Sequence, residues 1–166
     1  MKKNEGFSLV ELIVAIAIMS VLISLVAISI TVVGSQKVGS AASDIKSQFQ
    51  TAQTISMSKD DCFLDIQADP GNGVTFTTYS SDSRILDKRL VESNITVTVK
   101  SKTGVMGTGA FHFRIRYNRE NGSMKPMTTV NGFTETECGD IEYIKFSNGR
   151  KTVTLYISQV TGKVTY

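Results

Sequence analysis

The sequence predicts an α+β fold in which one long N-terminal helix packs on an antiparallel β-sheet head. Two patterns indicate this fold. An apolar segment over residues 7–33 continues into an amphipathic segment over residues 34–59, and both have helical character. Residues 60–166 then alternate apolar and polar side chains in short runs separated by turn sequences, as antiparallel strands do. The β-rich head is therefore expected to follow the helix in the chain.

The first part of the predicted helix is apolar on all sides. Between Phe7 and Val33, Glu11 is the only charged residue. Residues 12–33 form a run of 22 uncharged residues. As a helix this run would be about 33 Å long, enough to cross a bilayer. An ionisable group in such a segment costs about 2.5–3.5 kcal/mol to insert, so we expect Glu11 to have a function.

The second part of the predicted helix has one apolar side. Apolar residues recur there at steps of three or four, and polar residues lie between them. This pattern predicts that residues 34–59 dock on the head through a stripe of apolar side chains. The predicted stripe consists of Val38, Ala41, Ile45, Phe49, Ala52 and Ile55.

Turn sequences divide the head into about seven or eight predicted strands. Asp69-Pro70-Gly71-Asn72-Gly73 predicts a tight turn between strands at residues 62–67 and 74–79. Asn148-Gly149 and Thr161-Gly162-Lys163 predict two hairpins near the C-terminus. Other strands are predicted where these apolar residues alternate with polar ones: Ile95, Val97, Val99, Phe111, Phe113, Ile115 and Tyr117.

Three kinds of N-terminal segment can be compared with this one. A secretory signal peptide has a shorter apolar core and a small-x-small cleavage site, and this segment has neither. A plain membrane anchor fits the length, with Lys2 and Lys3 holding the N-terminus in the cytoplasm, but it gives Glu11 no role. A third kind, a short basic leader followed by an apolar helix with one acidic residue near its start, accounts for Glu11 as well.

The residues around the leader carry a specific pattern. Met1-Lys2-Lys3-Asn4-Glu5-Gly6 is short, basic and ends in glycine; Phe7 follows, and Glu11 comes four residues later. In these positions the sequence resembles type IV pilin and pseudopilin precursors with a class III leader. The resemblance implies that prepilin peptidase cleaves between Gly6 and Phe7 and methylates the new amine of Phe7. It also implies that Glu11, one helical turn away, pairs with such an amine during assembly and sets subunit registration.

A second pattern lies at the C-terminus. Residues 144–150 form an apolar-x-Phe-x-x-Gly segment, and two predicted strands follow, the last built around Thr161-Gly162-Lys163-Val164. This arrangement is similar to the H-type minor pseudopilins, the general secretion pathway protein H and fimbrial T-like subunits, in which arginine is more usual at the position of Lys163. The resemblance implies a head of two β-sheets and a minor subunit.

The sequence contains no catalytic, cofactor-binding or metal-binding motif, so we expect a non-enzymatic protein. His112 is the only histidine and is expected at a surface or rim position. Cys62 and Cys138 lack the Cys-x-x-Cys or histidine partner of a metal site. Outside the cytoplasm they could form a disulfide, and their spacing leaves this open.

The charge of the chain gives little support for nucleic-acid binding. The formal net charge is +3, and Arg114, Arg116 and Arg119 form the densest basic group. We interpret them as a solvated strand face, and three arginines are thin support for DNA as a partner.

The two resemblances imply a structural subunit, a minor pilin or pseudopilin, of a pilus, a type II secretion pseudopilus or a DNA-uptake filament. Its expected partners are prepilin peptidase, other subunits, the assembly platform and the membrane. We expect it to cross the inner (cell) membrane once, with its head outside the cytoplasm, before it joins an extracellular or periplasmic filament. The alternative is a membrane-anchored extracellular binding domain that does not polymerise, which should tolerate loss of the Glu11 carboxylate.

Overall fold

One helix and eleven strands make up the described part of the chain, which confirms the predicted α+β class. The computed structural model describes residues 8–58, 61–104, 106–107 and 109–166, without the side chains of residues 25–33 and 106. Its contacts divide the chain into two units, residues 1–36 and residues 37–166. The expected leader, residues 1–6, and Phe7 lie outside the described residues.

Helix α1 (Leu9–Ser58) is a single element of 50 residues. It begins at Ser8, whose carbonyl accepts the first helical hydrogen bond from the N–H of Leu12 at 3.1 Å. Serine is among the preferred residues at this capping position. No proline precedes Pro70, so no residue of the helix lacks a backbone N–H. The predicted apolar and amphipathic segments are therefore parts of one helix.

In the second unit, α1 buries a stripe of side chains that largely agrees with the prediction. Val38, Ala42, Ile45, Phe49 and Ala52 are buried. They recur at alternating steps of four and three, which keeps them on one side of a helix. The expected Ala41 and Ile55 are only partly buried and lie beside the core. The sequence could not choose between Ala41 and Ala42, because both small residues fit the helical period.

The strands form two antiparallel sheets, as the C-terminal resemblance implies. In chain order the strands are β1 (Phe63–Asp69), β2 (Gly73–Tyr79), β3 (Ile85–Val91), β4 (Thr96–Ser101), β5 (Met106–Gly107), β6 (Phe111–Arg116), β7 (Met127–Asn131), β8 (Thr134–Gly139), β9 (Ile141–Ser147), β10 (Thr152–Ile157) and β11 (Val164–Thr165). The first sheet has the order β3-β2-β1-β6-β7-β8, and the second has the order β11-β10-β9-β4-β5. Buried side chains of both sheets and of α1 form one core.

The predicted turns are confirmed. The Asn72 N–H donates to Asp69 O at 3.1 Å in the turn between β1 and β2. Gly73 has a φ of 91°, and a Cβ there would lie 2.1 Å from Val91 O, so this position requires glycine. The hairpins around Asn148-Gly149 and Thr161-Gly162-Lys163 join β9 to β10 and β10 to β11.

Two features of the first sheet were not predicted. The edge strand β3 was not identified, because its sequence mixes aliphatic and charged residues without clear alternation. The β7–β8 hairpin was also missed, although its Asn131-Gly132 pair is a strong hairpin signal. Its two-residue loop consists of Gly132 and Phe133, closed by the pair Asn131 and Thr134.

Polar side chains fix the position of α1 on the head. The buried Gln48 donates through Nε2 to Phe76 O at 3.1 Å and to the Thr78 hydroxyl at 3.2 Å. The Tyr117 hydroxyl donates to Phe49 O at 3.1 Å, and burial raises the pKa of this phenol. These bonds fix how far the helix lies along the sheets and how it is rotated.

Gln53 joins the helix to two loops of the head, one after β6 and one after β10. Its Nε2 donates to Gly122 O and to Thr161 O, at 2.8 Å each. Gly162 packs against the same place: a Cβ on it would lie 2.1 Å from Gly122 O and 2.6 Å from the Gln53 amide nitrogen. The glycine of the C-terminal pattern thus has a packing reason as well as a backbone reason, since its φ is 65°.

Cys62 and Cys138 are free thiols in this structure, so the disulfide that the sequence left open is not formed. Cys62 directly precedes β1 and donates to Ala52 O at 3.0 Å, whereas Cys138 lies in β8. Three strand spacings separate β1 from β8, or about 14 Å, roughly twice the Cα distance that a disulfide allows.

We expect Gly162→Ala to destabilise the head by about 3 kcal/mol or more, because it adds a clash with backbone to an unfavourable φ. Gly149→Ala is the matched control: Gly149 also has a positive φ (81°), but a Cβ on it would meet no atom within 4 Å. The control should lose only about 1–2 kcal/mol, the cost of the left-handed backbone. Thermal unfolding of the full chain in detergent, followed by circular dichroism, would measure both. Equal losses would show that the contact with Gly122 is unimportant.

Candidate functional site

The first unit exposes apolar side chains on every side of α1. The described residues 8–24 are all exposed. Large apolar residues dominate this stretch, and even the least exposed of them, Val14, is half exposed. A helix that is apolar all round does not remain in water, because each such side chain gains about 1.5–3 kcal/mol on burial. We therefore expect this surface to be covered by other apolar groups.

Glu11 lies in the first turn of α1 and is exposed. Its position relative to Ser8 matches a capping box, in which a serine at the helix start is followed three residues later by glutamate. A carboxylate also suits this end of a helix because backbone N–H groups there carry partial positive charge. The spacing from Ser8 and the start of the helix thus favour a carboxylate at position 11, which we did not identify from the sequence.

Two serines of this stretch bond back to the helix. The Ser20 hydroxyl donates to Ala17 O at 2.8 Å, and the Ser24 hydroxyl donates to Val21 O at 2.7 Å. Their polar groups are satisfied within the helix and need no water. The polar side chains between Glu11 and Ser24 are therefore compatible with an apolar environment.

Over the side chains that the structure describes, no helix reaches the length and hydropathy of a membrane span. The side chains of residues 25–33, the second part of the span expected from the sequence, lie outside that described set.

In the head, charged side chains meet on the outer face of the first sheet. Leu64, Ile66 and Ala68 of β1 point into the core, so Asp65 between them points to the opposite face. The charged side chains on this outer face form a group that we name the ion-pair cluster. It consists of Asp65, His112, Arg114, Arg116 and Glu135, from strands β1, β6 and β8.

Arg114 is the centre of the ion-pair cluster. It donates to both oxygens of Asp65, from Nε at 2.6 Å and from Nη2 at 2.8 Å, and it reaches Glu135 through Nη1 at 2.6 Å. The register explains the first contact, because Asp65 and Arg114 are directly opposite each other on β1 and β6. Such a two-point contact is the strongest geometry of an arginine–carboxylate pair. Asp65 is only 6% exposed, and its hydrogen bonds raise the pKa of Arg114 above the usual range.

Arg116 and the aromatic residues complete the surface. Arg116 donates to both oxygens of Glu135, at 2.6 and 2.8 Å. These bonds, with those from Arg114, lower the pKa of Glu135 to about 2. The guanidinium of Arg114 also lies 4.2 Å from the ring centre of Phe63, which is stacked on Tyr79. Ion pairs and the stacked rings of Phe63 and Tyr79 thus hold the cluster in place.

This geometry corrects the interpretation of the arginines. Arg114 and Arg116 are partly buried and paired with carboxylates, rather than a solvated basic strand face. The charges of Arg114 and Arg116 are cancelled by those of Asp65 and Glu135, so this face does not attract DNA. Of the three arginines in the predicted basic group, only Arg119 is exposed. The partners Asp65 and Glu135 are far apart in sequence from the arginines, and only the strand order brings them together.

His112 is partly exposed, which agrees with the predicted rim position, and its Nε2 lies 3.0 Å from Asp65 Oδ2. It therefore contacts a carboxylate that is already held by Arg114. Within the described residues, no three His, Cys, Asp or Glu side chains are placed to hold a metal ion.

The N-terminus matches a known family model. Residues 1–27 match the prokaryotic N-terminal methylation motif. The matched region includes the predicted leader, Phe7 and Glu11, and it extends into the apolar part of α1. No curated protein matches the chain. No solved structure matches it either.

The lowered pKa of Glu135 predicts a pH-dependent contribution to stability. A carboxylate whose pKa is lower in the folded state stabilises the fold above its ordinary pKa, 4.5, and this contribution is lost as the pH falls towards 2. We expect Glu135→Gln to lower the free energy of unfolding by about 1 kcal/mol at pH 7, a modest value because the cluster is partly exposed and screened. Near pH 2 the variant and the wild type should be equally stable.

Denaturant unfolding of the full chain in detergent at both pH values would test this. Glu137→Gln is the matched control, since Glu137 is an exposed glutamate of the same strand. It should change stability little at either pH. An equal loss at pH 7 and pH 2 for Glu135→Gln would contradict the ionic origin.

Proposed function

We propose that this protein is a structural subunit of a type IV pilus-like filament. The observation that carries the proposal is the match of residues 1–27 to the N-terminal methylation motif, joined to an exposed apolar helix that begins beside Glu11. Eleven large apolar side chains between Leu9 and Ile23 are exposed. Their burial is worth on the order of 20 kcal/mol, which a bundle of such helices would supply.

In this proposal the chain is made as a precursor whose leader is residues 1–6. Prepilin peptidase cuts between Gly6 and Phe7 and methylates the amine of Phe7. Residues 7–33 hold the subunit in the cell membrane and later lie at the filament centre. Residues 34–59 and the head, residues 60–166, stay outside the cytoplasm. The partners are other pilin or pseudopilin subunits and the assembly platform.

Glu11 has the registering role in this proposal. Cleavage leaves a positive amine on Phe7, and Glu11 lies about one helical turn from it. In a bundle without water, the amine of an incoming subunit pairs with Glu11 of a subunit already in place. Loss of one partner from such a pair costs about 3–5 kcal/mol, because the other charge remains buried.

The C-terminal pattern supports a minor subunit. The two-sheet head fits that part of the resemblance, and Gly162 and Gln53 give its Thr-Gly-Lys-Val segment a defined place beside α1. A minor subunit of a pilus, a secretion pseudopilus or a DNA-uptake filament has the same requirements at Phe7 and Glu11.

Mass spectrometry of the intact N-terminus would test the proposal, on sheared fibres and on the membranes left behind. We expect a chain that begins at N-methyl-Phe7 in the fibres. Processed protein confined to membranes would favour a pseudopilus or a priming subunit. A retained Met1-Lys2-Lys3 leader in both fractions would contradict the proposal and leave a membrane-anchored binding domain.

Two substitutions separate the roles of Glu11. Glu11→Val removes both the polar side chain and the charge, whereas Glu11→Gln keeps a residue that a capping box accepts but removes the charge. We expect both variants to be cleaved normally and both to lose at least tenfold in incorporation into filaments, because pairing needs the charge. Immunoblots of the sheared fraction would measure this. Normal incorporation of Glu11→Gln would show that Glu11 acts only as a cap.

A further inference from the structure

We infer that one end of the head contacts the lipid surface before assembly, with the Phe133 ring inserted at the membrane interface. This inference rests on the proposed function, since it requires that the apolar segment before the head is held in a membrane.

Covalent continuity identifies the end of the head that lies near the membrane. Lys37 is the fourth residue after Val33, the last of the apolar segment, and is thus only about 6 Å further along the helix. Its ammonium group lies 2.8 Å from Glu92 Oε2. Glu92 directly follows β3, so the end of the first sheet at Val91 is the near end.

The second sheet also has one end close to Lys37, at the hairpin between β9 and β10. The Lys151 ammonium lies 3.3 Å from the position of a Cβ on Gly39, two residues after Lys37. Lys151 belongs to the β9–β10 hairpin, so this hairpin is also at the near end. Gln53 lies 16 residues beyond Lys37, or about 24 Å along the helix. The loops that it bonds, at Gly122 and Thr161, therefore mark the far end.

The strand register places Phe133 at the near end. Val91 pairs with Val74, Val74 pairs with Ala68, and Ala68 pairs with Phe111. The pair Phe113 and Thr129 puts Asn131, two residues later, at the level of Phe111. Phe133 lies beyond Asn131, in the loop of the β7–β8 hairpin, and thus projects past this end of the sheet.

Phe133 differs from the other described phenylalanines. Its relative exposure is 109%, whereas each of the others is buried or half-buried. An apolar ring held in water at a tight turn is unfavourable, and aromatic rings partition into the interface of a bilayer. Arg150 and Lys151 lie at the same end and suit anionic lipid phosphates, offset in part by Asp69. A lipid surface therefore fits both the position and the chemistry of this end.

The sequence offers a clean test because it contains no tryptophan. Phe133→Trp puts a single fluorescent reporter at the near end. Val160→Trp puts one in the far loop, where Val160 is 82% exposed. Each full-length variant would be reconstituted in vesicles of phosphatidylcholine and phosphatidylglycerol, with and without bromine on the acyl chains.

We expect the Phe133→Trp variant to emit at shorter wavelength in vesicles and to lose intensity when the lipids are brominated. The Val160→Trp variant should show neither change. A Phe133→Trp variant that acrylamide quenches as freely as the control, without an effect of bromine, would overturn the inference. A shift to shorter wavelength in detergent that depends on protein concentration would overturn it too, by showing that a second copy covers the ring.

The same samples separate this inference from the proposed function. A chain that floats with the vesicles while its tryptophan at position 133 stays in water contradicts the inference alone. A chain that does not float with the vesicles contradicts the inference together with the membrane step of the proposed function.

Discussion

The head depends on one apolar contact, the stripe that α1 buries from Val38 to Ala52. The inner faces of the two sheets share a single core with this stripe. In this core the ring of Phe76 from the first sheet contacts the ring of Phe146 from the second, with 6.2 Å between the ring centres. Neither sheet has a complete core without the helix. Apolar packing alone does not fix the position of the helix, because it has no preferred direction. The hydrogen bonds of Gln48, Gln53 and Tyr117 fix where α1 lies on the head.

The two parts of α1 are adapted to different surroundings. The part from Leu9 to Ser24 has no buried side, and its two serine hydroxyls bond to carbonyl groups of the same helix. The part after Lys37 buries one side against protein and leaves polar side chains on the other. This difference arises from composition alone, because the backbone is helical throughout. The proposed function, in which a subunit passes from lipid into a filament, needs such a helix, since its first part can exchange one apolar neighbour for another.

Local patterns in the sequence were sufficient for much of this structure. The helix and the turns at Asp69–Gly73 and Asn148-Gly149 follow from short-range periodicity and turn chemistry, and they are confirmed. The predicted stripe is confirmed at four of its six positions, since Ala41 and Ile55 are only partly buried. The ion-pair cluster could not be predicted in this way. Asp65 and Arg114 are 49 residues apart, and only the pairing of β1 with β6 makes them neighbours. Sequence periodicity gives the face of a residue but not the strand beside it.

The functional residues Gly6 and Phe7 were inferred from a motif of a few residues, and they remain predictions because the described structure begins at Ser8. Glu11 lies within it, in the first turn of α1. The motif match and the helix therefore support different parts of one proposal: the match concerns processing, and the helix concerns what covers the apolar surface.

The neutrality of the ion-pair cluster has a consequence for how the head meets other molecules. Salt screens charges over about 8 Å at physiological ionic strength, and it weakens association that depends on a surface with excess charge. Arg114 and Arg116 already have Asp65 and Glu135 as close partners, so this face produces almost no field at a distance. A partner that binds here would do so through shape complementarity and hydrogen bonds rather than through long-range electrostatic attraction. Its affinity should therefore be nearly the same in dilute and in concentrated salt.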